Sequence, residues 1–322
     1  MHTHARRGLT IVEVLTIMGI LLIVLVLVVG LMLPPRGYCR CLPYTLRDAS
    51  YLRSLHQSMV RWAAQNNDTF PLPSLVDMDD TTVANIGLAK DTTANIMSMM
   101  VWNGAVPPEL LISPLEMNRR IVAYEDYAYD HPSAAIDPDR AHWDPSLSAD
   151  FTIGEGNVSY AHLMPSGDRR HAWRDTEDST QVVLGSRGPQ IESVRYEPNG
   201  AVTPFLTDDT STTLQPVSRK ARSSCRRCDS RWRSGRPGTW NPVVAFNDNR
   251  VELLSSRFDR GSNDDDFEPV AFRDDLPWLT RPDGTMFPDL LTYDEPRHPG
   301  NTFLGIFTTA GEKPADFTPI WD

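Results

Sequence analysis

Apolar side chains run almost without a break through residues 9–33; of these 25 residues only Thr10, Glu13 and Thr16 are clearly polar. A helix of that length is roughly 37 Å long, enough to cross a hydrocarbon core with some tilt. The pattern then breaks. Residues 33–44, LPPRGYCRCLPY, hold a double proline and read as a helix-breaking linker over 34–44. From Thr45 the periodicity turns helical and one-sided. Leu46, Ala49, Leu52, Leu55 or His56, Met59 and Ala63 recur three and four apart, with Arg47, Asp48, Arg53, Gln57 and Arg61 opposite. Thr45 is placed to cap this second helix; Asn66-Asn67-Asp68 and Pro71 end it.

Further along, residues 86–100 suggest another helix. Apolar, β-rich runs at 159–163, 181–184 and 243–254 predict strands of a small antiparallel sheet. The last run turns at Asp248-Asn249, a hairpin tip. Residues 257–299 have little periodicity and read as loop; 302–322 end in a strand and a docked tail. The fold class expected is α+β. A transmembrane helix comes first, then an amphipathic helix packed on a small antiparallel sheet with long loops. The folded domain spans 45–322, and no internal repeat is apparent. The 26 prolines and 19 glycines agree with long loops.

Charge narrows the partners. The chain carries a formal net charge of −11. Without Arg6 and Arg7 the balance is 29 basic against 42 acidic residues, or −13. Nucleic-acid binding wants a basic face, so no nucleic acid is expected.

Glu13 is the anomaly in the first apolar run. A carboxylate at the centre of a membrane helix costs roughly 2.5–3.5 kcal/mol on insertion scales. Glu13 sits near one end, where snorkelling lowers that cost. An ordinary secretory signal has a shorter apolar region and a small-residue cleavage site, which LMLPPRG does not provide. A twin-arginine signal on Arg6-Arg7 lacks the rest of its motif. A plain anchor, held by the positive-inside rule, explains the length and the arginines but neither Glu13 nor Gly8.

The stretch RRGLTIVEVL resembles the class III signal of type IV pilins and type II secretion pseudopilins. That pattern is a short basic leader ending in Gly, then an apolar residue, often Thr, two apolar residues and Glu. It falls on Gly8, Leu9, Thr10, Ile11, Val12 and Glu13. The family usually has Phe where Leu9 stands. The resemblance implies a leader over residues 1–8 and a transmembrane and assembly helix over 9–33. A prepilin peptidase would cut after Gly8 and methylate the amine of Leu9. Thr10 and Glu13 would serve assembly. Glu13 would neutralise the N-terminal ammonium of a neighbouring subunit inside a packed helix bundle, where neither charge tolerates isolation.

Weaker echoes follow in order. AAQNNDTFPLP, at the end of the second helix, is similar to a passage in large prepilin-type proteins. So are LLISPLE (110–116), where such proteins often carry a strand, NVSYAHLMP (157–165), DSTQVVLGSRGP (178–189) and NPVVAFNDNRVELL (241–254). What the resemblance implies is a structural subunit of a type IV pilus-like or type II secretion pseudopilus filament. Its partners would be other pilin-like subunits, the prepilin peptidase and the bacterial inner membrane. It would cross once, N-terminus in the cytoplasm and C-terminal domain exported, in the periplasm or at the cell surface. The alternative is a single-span, membrane-anchored exported domain that binds a ligand and assembles nothing.

Four cysteines stand as Cys39, Cys41, Cys225 and Cys228. Outside the membrane they suit disulfides; three pairings exist. A four-thiolate zinc site is a second reading, with C-x-x-C the usual half-site and C-x-C an unusual one, and free or labile thiols are a third. The loop DRGSNDDDFEP (259–269) alternates Asp264, Asp266 and Glu268, hard oxygen donors of the kind calcium takes. It does not follow the EF-hand pattern, and a solvated acidic loop is the competing reading. His162, Asp168, His171 and Asp175 lie close in sequence, and surface polarity explains them more simply than a metal. No serine-hydrolase elbow, zincin helix, P-loop or dinucleotide fingerprint occurs, so no enzyme is expected.

Overall fold

The computed structural model describes residues 11–32, 41–196, 202–207, 212–214, 240–254, 278–280, 286–295, 298 and 300–322. It divides into two units, Met1–Cys39 and Arg40–Asp322. The protein is a mixture of helix and sheet, with one N-terminal apolar helix and an antiparallel sheet.

In the first unit, α1 runs Ile11–Met32. Its side chains from 11 to 28 are exposed on every side. A helix that is apolar all round has no face with which to sit on a soluble core.

In the second unit, α2 spans Cys41–Ala63. It begins one turn ahead of Thr45, which is helical and is not its cap. Pro43 falls in the first turn, where a backbone N–H has no intrahelical partner to lose. Leu52, Leu55, Met59 and Ala63 are fully or almost fully buried, as the spacing requires; Leu46 is 61% exposed and falls outside that stripe. The helix stops where Asn67 and Asp68 both turn left-handed, with φ of 54° and 57°. Asn66 also donates from Nδ2 to the carbonyl of Trp62 at 2.8 Å.

A one-turn α3 (Pro73–Val76) follows. The expected helix over 86–100 is two pieces, a 3₁₀ turn at Gly87–Lys90 and α4 at Thr93–Trp102. Thr92 divides them: it is extended, and its side chain accepts from the N–H of Asn95. Where a strand was expected in LLISPLE there is a 3₁₀ turn, Pro108–Leu111, and then loop.

The five-stranded sheet is built from β1 (Tyr160–Leu163), β2 (Val182–Ser186), β5 (Val243–Phe246), β6 (Val251–Leu253) and β9 (Leu304–Gly305). Two-stranded ribbons fill the intervals: β3 (Ile191–Tyr196) with β4 (Val202–Leu206), and β7 (Trp278–Thr280) with β8 (Met286–Pro288). The last ribbon is β10 (Phe307–Thr309) with β11 (Thr318–Pro319). Within the sheet the order is β6-β5-β2-β1-β9, all neighbours antiparallel. The β5–β6 hairpin turns through Asp248 and Asn249, with Asn249 left-handed at φ 65°.

Strands β1 and β5 are buried along their whole length. That is how strands read when both sheet faces are covered. Helix α2 lies against β5, β6 and β2. Close packing reaches the loop after β2: a Cβ on Gly188 would come within 2.6 Å of the Trp240 ring and 2.5 Å of Thr292.

Candidate functional site

Two kinds of site emerge from the residues, one in each unit. In α1 the 18 residues Ile11–Val28 form a helix long and apolar enough to cross a membrane; a signal sequence has the same character. Glu13 lies exposed in its first turn. A carboxylate there faces the positive end of the helix dipole, an interaction of about 0.3–1 kcal/mol. One turn on, the Thr16 hydroxyl donates to the carbonyl of Glu13 at 2.9 Å, so that hydroxyl is satisfied within the helix. Gly8, Leu9 and Thr10 lie outside the described residues. So do Cys39, Cys225, Cys228, Asp264, Asp266 and Glu268. Cys41 opens α2.

The folded unit buries polar groups that their identities would place at the surface. Asp48, expected on the solvent side of α2, is fully buried. Its Oδ1 accepts from Ser113 at 2.6 Å and from Tyr160 at 2.7 Å, while Oδ2 has no partner. Burial pushes the Asp48 carboxyl up to about 6, against the pull of those two hydroxyls. Eight residues on, the His56 ring bonds Asn249 at the hairpin tip, and burial lowers its pKa.

His162 is also buried, not a surface residue. The Thr93 hydroxyl accepts from the N–H of Phe307 at 2.8 Å and lies 2.8 Å from His162 Nε2. Nδ1 lies 2.8 Å from the carbonyl of Leu163, which only accepts, so Nδ1 carries the proton and Nε2 accepts from Thr93. Burial holds this imidazole down at about 4. A hydroxyl donating to a histidine is the beginning of a nucleophile–base pair. Here both residues are fully buried, the Trp173 and Phe307 rings pack tilted and edge-on with centroids 5.1 and 5.3 Å from the imidazole, and a carbonyl stands where an orienting carboxylate would be. The pair holds α4 to β1. With both ring nitrogens engaged, His162 does not join Asp168, His171 and Asp175 around an ion. Among the described residues no three His, Cys, Asp or Glu side chains are grouped to hold a metal.

Buried charges are answered by opposite ones. Arg187, just past β2, lies 2.6 Å from Glu116 and 2.8 Å from Asp322, all three nearly buried. Lys90 is fully buried and sits 2.8 Å from Asp77 and 2.5 Å from Asp80. Burial alone would lower the lysine pKa, but these two carboxylates hold it above its usual value. Sequence reasoning missed all of these groups.

Comparison with family models, with curated proteins and with solved structures finds no match to this chain.

Proposed function

We propose that the protein is a structural subunit of a pilin-like filament, either a type IV pilus-like fibre or a type II secretion pseudopilus. The observation that carries this is α1: apolar on every side, exposed from residue 11 to 28, and opened by Glu13 in its first turn. Such a helix finds cover in lipid before assembly and against other copies of itself afterwards. The motif Gly8-Leu9-Thr10-Ile11-Val12-Glu13 supports processing by a prepilin peptidase. On this reading the chain crosses the bacterial inner membrane once, with the folded unit exported. Helix α2 on the antiparallel sheet is the two-layer body that such a subunit displays around the helical bundle. The buried polar pairs of that body hold it together and catalyse nothing.

Processing tests the reading. Mass spectrometry of the native protein is expected to find an N-terminus at Leu9 bearing one methyl group. A mature chain that starts at Met1, or beyond residue 33, would contradict it.

A further inference from the structure

A second surface lies on the folded unit, far in sequence from α1. Residues 75–90 and 129–140 meet where 79–82 lie against 136–140. The N–H of Asp137 donates to the carbonyl of Thr81 at 2.8 Å, that of Ile136 to Thr82, and the Thr81 hydroxyl to the carbonyl of Arg140. Arg140 closes the contact with Asp79 at 2.6 Å. The base is rigid. Lys90 bonds the side chain and the carbonyl of Asp77, and Asp91 accepts from both the N–H and the hydroxyl of Ser74.

Large exposed apolar side chains concentrate in these two segments. Among the described residues of the folded unit seven are more than half exposed, and five of them are here: Leu75, Met78, Ile86, Tyr129 and Ile136. Single exposed apolar side chains are ordinary; a concentration rimmed by polar groups marks an interaction site. The rim is acidic. Across these two segments six aspartates face Lys90 and Arg140, a net charge of −4. Lys90 is spent inside; at the surface Asp79, Asp130 and Asp139 are each more than two-thirds exposed, Asp79 beside Arg140 and the other two 3.3 and 2.7 Å from the His131 ring, so carboxylates outnumber the cations that face them.

We propose that this face docks a basic, amphipathic polypeptide segment, one with aliphatic side chains flanked by lysine or arginine. The charge selects among occupants. Anionic lipid and nucleic acid meet repulsion. A second copy of this chain carries −11 overall and is repelled as a whole, although its residues 219–236 hold eight Lys and Arg against one Asp; self-association is therefore one outcome of the test. A basic segment gains the apolar contact and is steered by the field. The inference stands whether or not the chain assembles through α1.

The test uses full-length protein in nanodiscs of zwitterionic lipid, with empty discs subtracted. Fluorescence anisotropy follows two labelled peptides, one with leucine and lysine at helical spacing and one with leucine and glutamate. The leucine–lysine peptide is expected to bind at least about tenfold tighter, a preference that weakens as salt shortens the screening length. The double change Met78→Ser and Ile136→Ser is expected to lower its affinity about tenfold at unchanged melting temperature. Asp79→Asn with Asp139→Asn is expected to reduce the salt dependence. Equal binding of the two peptides, or unchanged binding by the serine variant, overturns the proposal. So does wild-type self-association that the serine variant abolishes, which would put a second copy on this face.

Discussion

The two units of this protein invert each other. The α1 helix exposes apolar side chains all round, whereas the folded unit encloses aspartate, histidine, lysine and arginine. Physical cost explains the contrast. An ion taken from water must find its counter-ion within the fold, and Arg187 and Lys90 both do. Apolar surface left in water must find its cover elsewhere. The buried ions of the folded unit are thus matched from within, whereas the apolar surface of α1 is covered only with lipid or with other helices around it. Changes in one unit should be read out in melting temperature, and changes in the other in assembly.

The largest stability effect is expected at Arg187. Arg187→Met removes the guanidinium that lies against both Glu116 and Asp322 in the fold, a loss of about 3–5 kcal/mol. Denaturant unfolding of the full chain in detergent checks it; a loss under about 1 kcal/mol would mean that water already reaches the pair. Gly188→Ala comes next. Its Cβ meets the Trp240 ring and Thr292, and overpacking of that kind costs about 1–3 kcal/mol.

Asp48 gives a pH-dependent effect. Its carboxyl titrates at about 6 in the fold against 3.8 unfolded. Ionising it inside the fold therefore costs stability: its contribution is full below pH 3.8 and is lost as pH rises through about 6. His162 runs the other way. Held at about 4 against 6.5 unfolded, it takes stability away as pH falls between those values. In the wild type the two slopes offset. Asp48→Asn removes one of them. The fall in stability on acidification from 6.5 to about 4 is then expected to steepen by about 3 kcal/mol. Melting curves across that range measure it; an unchanged slope would mean that Asp48 is hydrated in solution.

Residues near in sequence and driven by periodicity were legible. The apolar run of α1, the buried stripe Leu52, Leu55, Met59 and Ala63, and the turn at Asp248-Asn249 all declare themselves over a few residues. Residues whose environment comes from far away were not. The hydrogen bonds that Asp48 accepts in its buried position come from Ser113 and Tyr160, 65 and 112 positions distant. Buried His162 accepts from Thr93, 69 positions back. By identity alone both look like surface polars. The start of α2 was misplaced because a proline reads as a breaker, although the first turn tolerates one.

The smallest effect on folding is expected at Glu13, and it carries the central claim. Glu13→Ala should leave the melting temperature of the folded unit unchanged, since Glu13 belongs to the other unit. If Glu13 pairs with the ammonium of a neighbouring Leu9 in the assembled bundle, removing it leaves that ammonium buried alone. Breaking one partner of a buried pair costs about 3–5 kcal/mol, a factor of several hundred or more in association. The measurement is cross-linking between copies through cysteines placed in α1, wild type against Glu13→Ala, in cells that hold the assembly machinery. The account predicts ladders of cross-linked subunits for the wild type, and monomer alone for a variant that is still inserted and processed. Equal ladders from both would contradict it and leave α1 as a membrane anchor with an incidental carboxylate.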